Sequence, residues 1–290
     1  NHKWAMERKI MNVKITTESV CDLPQEILDR LDITTVRVYV ILDGVSYRDV
    51  DDMNSYELFD AVEARDLAPT TSAPSVQDYL TAFHKYDLET TTIIHISTTS
   101  AHSVCYHNAL KAAEECTNVH VIDSRNATSG LGILVMMAAE MAQNGKSAEE
   151  IIQEVNRTIP RIELSCILNT VSYVRRGGRI STLAAKGVEL LNLKPCVEMV
   201  NGKLSIGKKY RGKLEKVLPN YIQDRLKGRN DLNLKRIFMT NTLSSKAFLQ
   251  TLVDLIKSLQ PFAEVLINDA GCTISTHAGP NALGIIFIRK

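Results

Sequence analysis

Aromatic residues make up only 6% of this 290-residue chain, too few for the stacking platforms that hold single-stranded nucleic acid. Charge of one sign is also lacking. Lys and Arg (34) nearly cancel Asp and Glu (33), and a net charge of +1 asks for neither nucleic acid nor an anionic membrane as the main partner. No apolar run approaches the ~18 residues of a membrane span; the best, residues 133–139, stops at Glu140. Cysteine pairs are missing too. Cys21, Cys105, Cys116, Cys166, Cys196 and Cys272 are scattered, with no C-x-x-C and no Cys/His ligand spacing. That pattern implies no structural zinc and a reduced, cytoplasmic location. The opening residues 1–5 have neither a starting Met nor an apolar h-region, so they read as an extension rather than a targeting signal. Without a signal peptide the sequons at Asn126 and Asn156 carry no meaning.

Signatures of catalysis are equally sparse. There is no G-x-S-x-G elbow and no H-E-x-x-H. Residues 202–209 (G-K-L-S-I-G-K-K) come within one residue of a phosphate-cradling loop, but Lys209 stands where Ser or Thr would ligate Mg²⁺. The preceding Asn201 places Gly202 in a hairpin turn instead. Gly130 and Gly132 open a helix after a strand, yet Val135 stands where a third glycine of a dinucleotide fingerprint belongs. Close helix packing explains those glycines better. Asp49, Asp51 and Asp52 are the nearest thing to an acidic metal cluster, and they lack the glycine of a calcium loop. No cofactor or metal is expected.

What is present is a strand–helix alternation. Residues 13–16, 34–42, 91–97 and 119–122 read as strands, separated by helices opening at Asp22, Asn54, Ser75 and Ser100. Asp22 with Gln25, Asn54 with Glu57, Ser75 with Asp78 and Ser147 with Glu150 have capping-box spacing. Residues 67–74, with two prolines around three hydroxyls, are expected to be irregular. Residues 129–143 are apolar nearly all round, hence a buried helix. After Pro160 strands at 164–168, 196–200, 204–210, 236–240, 263–268 and 283–288 include a hairpin at Asn201-Gly202, so the second sheet is mixed. The expectation is an α/β fold of two domains, residues 12–160 with a mostly parallel sheet and residues 161–290 with a mixed one.

Chemistry is carried by hydroxyl-rich turns. Thr70, Thr71 and Ser72 lie between two helices, while Thr98, Thr99 and Ser100 follow the carboxyl end of a strand and lead into a helix. Ligands of open α/β sheets bind outside the carboxyl ends of the strands, and a helix N-terminus suits a carboxylate or phosphate. Ser and Thr are the usual caps and turn formers, so either cluster alone reads more readily as an architectural feature than as a site. His277 in H-A-G-P is a third polar cluster, and Arg179 and Arg211 sit in basic loops.

Taken together these stretches resemble the DegV family of bacterial lipid-binding proteins. T-T-E-S at 16–19 with C-D-L-P at 21–24 is similar to the family's T-D-S…D-L-P, with Glu18 where Asp is usual. P-T-T-S-A-P at 69–74, I-D-S at 122–124, R-G-G-R-I-S at 176–181, the Lys194-Pro195 hairpin and H-A-G-P at 277–280 follow in order, so the resemblance spans residues 12–290. In the stretch matching S-S-x-L-S-G-T-Y, His102 replaces a hydrophobic residue, and Val104 and Cys105 replace Gly and Thr, which implies a changed pocket shape or acyl preference. The resemblance implies a non-catalytic carrier, with a long-chain fatty acid buried between the two domains. Thr71, Ser72, Ser100 and His277 would surround its carboxylate. It also implies presentation to an ATP-dependent fatty acid kinase, with Arg179 and Arg211 supporting phosphoryl transfer or docking, and it allows transient membrane contact. The rivals are a free-standing transferase or kinase related to dihydroxyacetone kinases, and a carrier of another lipid.

Overall fold

The computed structural model describes residues 12–181, 193–243 and 245–290; the opening residues 1–5 lie outside them. In chain order the first seven strands are β1 (Asn12–Glu18), β2 (Thr34–Val36), β3 (Tyr39–Leu42), β4 (Val45–Arg48), β5 (Thr70–Ser72), β6 (Thr91–Ser97) and β7 (Val119–Asp123). The other six among the described residues are β8 (Ile162–Ile167), β9 (Lys194–Val200), β10 (Lys203–Tyr210), β11 (Leu232–Asn241), β12 (Glu264–Asp269) and β13 (Leu283–Arg289). They form a parallel sheet ordered β2-β1-β6-β7, a mixed sheet ordered β10-β9-β8-β13-β11-β12, and a small antiparallel sheet β4-β3-β5. The expected α/β class, one parallel sheet and one mixed, is what the chain adopts. Every residue of β6 is buried, which is why its sequence shows no alternation of polar and apolar positions.

Helix Thr128–Gln143 joins the two large sheets. It packs on β1 and β6 of the parallel sheet and on β8, β11 and β13 of the mixed one. One apolar core therefore runs from Ile15, Ile94 and Ile96 through Leu131 and Leu134 to Phe238 and Ile286. Burial on both sides accounts for a helix that is apolar nearly all round. A Cβ on Gly132 would lie 2.6 Å from the Cys21 carbonyl oxygen, so the glycine is there for close approach.

Three of the four expected capping boxes form, at Asn54/Glu57, Ser75/Asp78 and Ser147/Glu150. The fourth does not. Helix Gln25–Arg30 starts behind Pro24 without a side-chain cap, because the Asp22 carboxylate is taken by the backbone N–H of Gly271 (2.9 Å) and the hydroxyl of Thr128 (2.5 Å). The strand expected over 34–42 is two strands in two sheets. The chain bends at Arg37-Val38, where the Val38 N–H donates to the Ser19 hydroxyl and the Val38 carbonyl accepts from Asp49. The segment 67–74, expected to be irregular, contains β5, paired with β3 at the edge of the small sheet where its flanking prolines interrupt no ladder. The helix expected to open at Ser100 opens at Cys105. Asn201 (φ 50°) and Gly202 (φ 82°) make the expected hairpin turn, so residues 202–209 are turn and strand rather than a phosphate loop.

Candidate functional site

Outside the carboxyl ends of β1 and β6 lies a cavity of about 520 Å³. Its walls come from the loop after β6, from Thr71 and Ser72 of β5, from Ile274 and His277 of helix Cys272–Ala278, and from Arg179. A second cavity, about 120 Å³ and lined by side chains such as Leu164, Val174, Val197 and Ile286, lies against the mixed sheet. Ala127, Met199, Leu204, Ile274 and His277 belong to both walls, so the two spaces adjoin. Hydroxyl, imidazole and guanidinium groups thus gather on part of a mainly apolar wall, beside a second space that is almost wholly apolar, an arrangement that suits an amphiphile. A larger groove of about 1160 Å³ runs beside β7, but arginines on its walls are already paired, Arg225 with Glu198 and Arg229 with Glu163.

At the junction of the two cavities, His277 Nε2 and Thr71 Oγ1 are 3.0 Å apart. His277 Nδ1 is sealed from solvent and has no partner among the described residues. Gly177 presses on that face of the ring, for a Cβ there would fall 2.1 Å from Nδ1. Burial, with Arg179 and His102 nearby, pushes His277 down to about 3, so the ring is neutral at physiological pH. A buried N–H with no acceptor costs more than a buried lone pair, so the proton belongs on Nε2. Nε2–H then donates to Thr71 Oγ1, and the Thr71 hydroxyl proton is left to donate into the cavity. Arg179 adds positive charge; it is half-buried, its pKa is lowered by that burial, and its guanidinium donates to the Gly177 carbonyl. The glycines of R-G-G-R are thereby explained. Gly177 makes room for His277, and Gly178 takes φ 72° to turn Arg179 back toward the cavity.

A family model described as an uncharacterised protein of the DegV family matches residues 12–290. The chain belongs to the DegV family. A DegV domain-containing protein of Clostridium acetobutylicum is 33% identical over 282 residues, spanning 96% of this chain and 99% of its own length. A protein of Thermotoga maritima named a fatty acid-binding protein is 27% identical over 283 residues, covering 94% of this chain and 96% of that one. A solved structure described as showing fatty acid binding of a DegV family protein from Thermus thermophilus matches with a TM-score of 0.85 at 28% identity. It covers 97% of this chain and 100% of that one.

The DegV motifs converge unevenly on the cavity. Thr71, Ser72, Ser100, Arg179 and His277 all line it. Ser100 is not at a helix N-terminus, as expected from sequence. It precedes helix Cys105–Glu114 by a turn, and Asp123 accepts both its hydroxyl (2.6 Å) and its N–H (3.2 Å). Ser72 is exposed and donates weakly to the Ala73 carbonyl at 3.4 Å. Arg211 is exposed and lines a different, open cleft with Asn169, Lys194 and Lys213. Val104 stands exposed on the cavity wall, and Cys105 is buried beside it.

Two functional features escaped the sequence reading. Asp22 of D-L-P binds the N-terminus of helix Cys272–Ala278, which carries His277, and so fixes a residue 255 positions away through Gly271. Glu18 ends β1 inside a closed polar network. Its Oε1 accepts from Tyr79 (2.9 Å), Ser97 (2.7 Å) and His95 (3.0 Å), and its Oε2 from the Thr98 N–H (2.9 Å). That network anchors the loop forming the cavity floor. Only the departure from the usual Asp at Glu18 marks it in the sequence.

Proposed function

We propose that this chain binds a long-chain fatty acid, its carboxylate among the polar groups of the 520 Å³ cavity and its acyl chain running along that cavity's apolar wall toward the adjoining apolar one. The observation that carries this reading is the Thr71–His277 pair at the junction, whose tautomer leaves the Thr71 hydroxyl proton for the larger cavity. A carboxylate removed from water needs several hydrogen bonds, and Thr71 and Arg179 supply donors, with Ser100 and Ser72 on the wall. Each buried CH₂ of the chain adds about 0.8 kcal/mol, so retention grows with length. The fatty-acid-binding relatives from Thermotoga maritima and Thermus thermophilus support the same ligand class.

The carrier hands the fatty acid to an ATP-dependent kinase subunit in the cytoplasm rather than acting as an enzyme itself. The cationic cleft of Arg211, Lys194 and Lys213 suits docking of such a partner, and Arg179 faces the head compartment where an acyl phosphate would form. Division into domains 12–160 and 161–290 is supported by the sheets, since the parallel one draws strands only from 12–123 and the mixed one only from 162–289. Mass spectrometry of an organic extract of the purified chain tests the reading. A stoichiometric fatty acid is the expected result; a different stoichiometric lipid keeps the cavity and changes the ligand; no ligand, with no uptake of added palmitate, removes the proposal.

A further inference from the structure

The larger cavity contains a histidine that the family pattern does not place there. His102 lines the cavity, half-buried, and its Nε2 receives the backbone N–H of Leu204 at 2.8 Å. An amide N–H can only donate, so Nε2 holds a lone pair, and in the neutral ring the proton sits on Nδ1. Burial, Arg179 and Lys203 hold His102 below its ordinary value, which keeps the ring in that form. Nδ1 has no partner among the described residues, and unlike His277 Nδ1 it is not sealed from solvent. It is a donor in search of an acceptor, on the wall of a cavity whose other principal groups, Thr71 and Arg179, also donate.

The same ring is a fastening. Leu204 belongs to β10, and the hairpin it shares with β9 is tied to the loop after β6 twice, by His102 and by the Thr99 hydroxyl donating to the Gly202 carbonyl at 2.7 Å. Leu204 and Met199 of that hairpin line both cavities.

We propose that His102 is a head-group-binding residue, donating Nδ1–H to a carboxylate oxygen of the bound lipid while Nε2 ties head-group recognition to the hairpin walling the acyl cavity. A carboxylate offers about four lone-pair sites, so three donors are accommodated by one head group. The ligand class is a lipid ending in an anionic oxygen group, in preference to a neutral alcohol or ester. This assignment rests on the fatty-acid reading above.

The test compares two variants of the full chain after removal of lipid, titrated with palmitate and with hexadecan-1-ol. His102→Asn keeps a donor where Nδ1 stands and loses the acceptor at Nε2; His102→Gln keeps the Nε2 acceptor and loses the Nδ1 donor. The expected result is palmitate affinity within about threefold of wild type for His102→Asn and roughly tenfold or more weaker for His102→Gln, since a hydrogen bond to a charged group is lost. Hexadecan-1-ol should change by about threefold at most. If His102→Gln matches wild type, or if palmitate and the alcohol weaken together, His102 is only a fastening and the assignment is overturned. If wild type fails to take up palmitate at all, the fatty-acid reading falls and His102 with it; uptake by wild type and both variants alike removes His102 alone.

Discussion

His95 and His277 are both removed from bulk water, and their surroundings differ in one respect. His95, in β6, is fully buried with both ring nitrogens bonded, Nδ1 to Thr16 at 2.9 Å and Nε2 to Glu18 at 3.0 Å. His277 has one partner, Thr71, and a second nitrogen with none among the described residues. The first belongs to a network in which every polar atom around Glu18 is satisfied. The second belongs to a site where Thr71, Arg179 and His102 present donors to a shared cavity. Saturated polar groups hold the loop in place; the spare donors, the Thr71 hydroxyl and His102 Nδ1–H, suit something anionic, whereas the sealed His277 Nδ1 keeps only a lone pair. That contrast, rather than burial, separates scaffold from site.

The sharpest way to break the comparison is at Glu18. Replacing Glu18→Gln sets an amide N–H₂ against donors from Tyr79, Ser97, His95 or Thr98. Removing one partner from such a buried charged cluster costs about 3–5 kcal/mol, and denaturant melts at pH 7 should show it. Burial pushes the Glu18 carboxyl up, but His95 and the hydrogen bonds from His95, Ser97 and Thr98 outweigh it and leave it below its ordinary value of 4.5. A lowered folded-state value means that the unfolded chain binds the proton more readily. The stabilisation is therefore complete above pH 4.5 and is lost as pH falls through the folded-state value. Glu18→Gln should show a shallower acid limb than wild type, keeping only the part that other carboxyls held below their ordinary values, such as Glu150 and Asp231, contribute; equal stability of the two proteins at pH 7 would show that the network is not structural.

On the unsaturated side, Thr71→Ala removes the hydroxyl that His277 orients. Palmitate affinity should fall about tenfold or more, the loss expected for a hydrogen bond to a carboxylate, while the melting midpoint moves little because Thr71 is half-buried in an edge strand. A large loss of stability with unchanged affinity would place Thr71 with the scaffold.

Legibility in the sequence followed the distance over which each interaction acts. The capping boxes at Asn54, Ser75 and Ser147 and the Asn201-Gly202 turn close within four residues, and all formed as read. Asp22 has the spacing of a local cap, but its partner, Gly271, lies 249 residues along the chain. Residues 34–42 have the pattern of one strand because nothing local says that β1 claims the first half and β5 the second. The site was half legible. Thr71 and His277 stand in separate motifs 206 residues apart, and only the fold shows them sharing a proton. His102 was visible as a departure from the family pattern, but its role depends on the Leu204 amide, which no spacing reveals.

Ser100 lies on the boundary between the two kinds of region and gives the smallest expected effect. It lines the head compartment, as its motif implies, yet its single hydroxyl proton goes to Asp123 at 2.6 Å. A carboxylate ligand needs donors, and a serine already donating to one carboxylate has only lone pairs to offer another. To serve as a donor it must break a charge-assisted bond first, so the exchange is nearly neutral. Ser100→Ala should therefore weaken palmitate binding by about threefold or less, and adding it to Thr71→Ala should change the single variant's affinity by no more than that. If Ser100→Ala alone matches the loss in Thr71→Ala, then the ligand draws the Ser100 hydroxyl away from Asp123 on binding. In that case Ser100 passes from the saturated side of the molecule to the unsaturated one when the cavity fills.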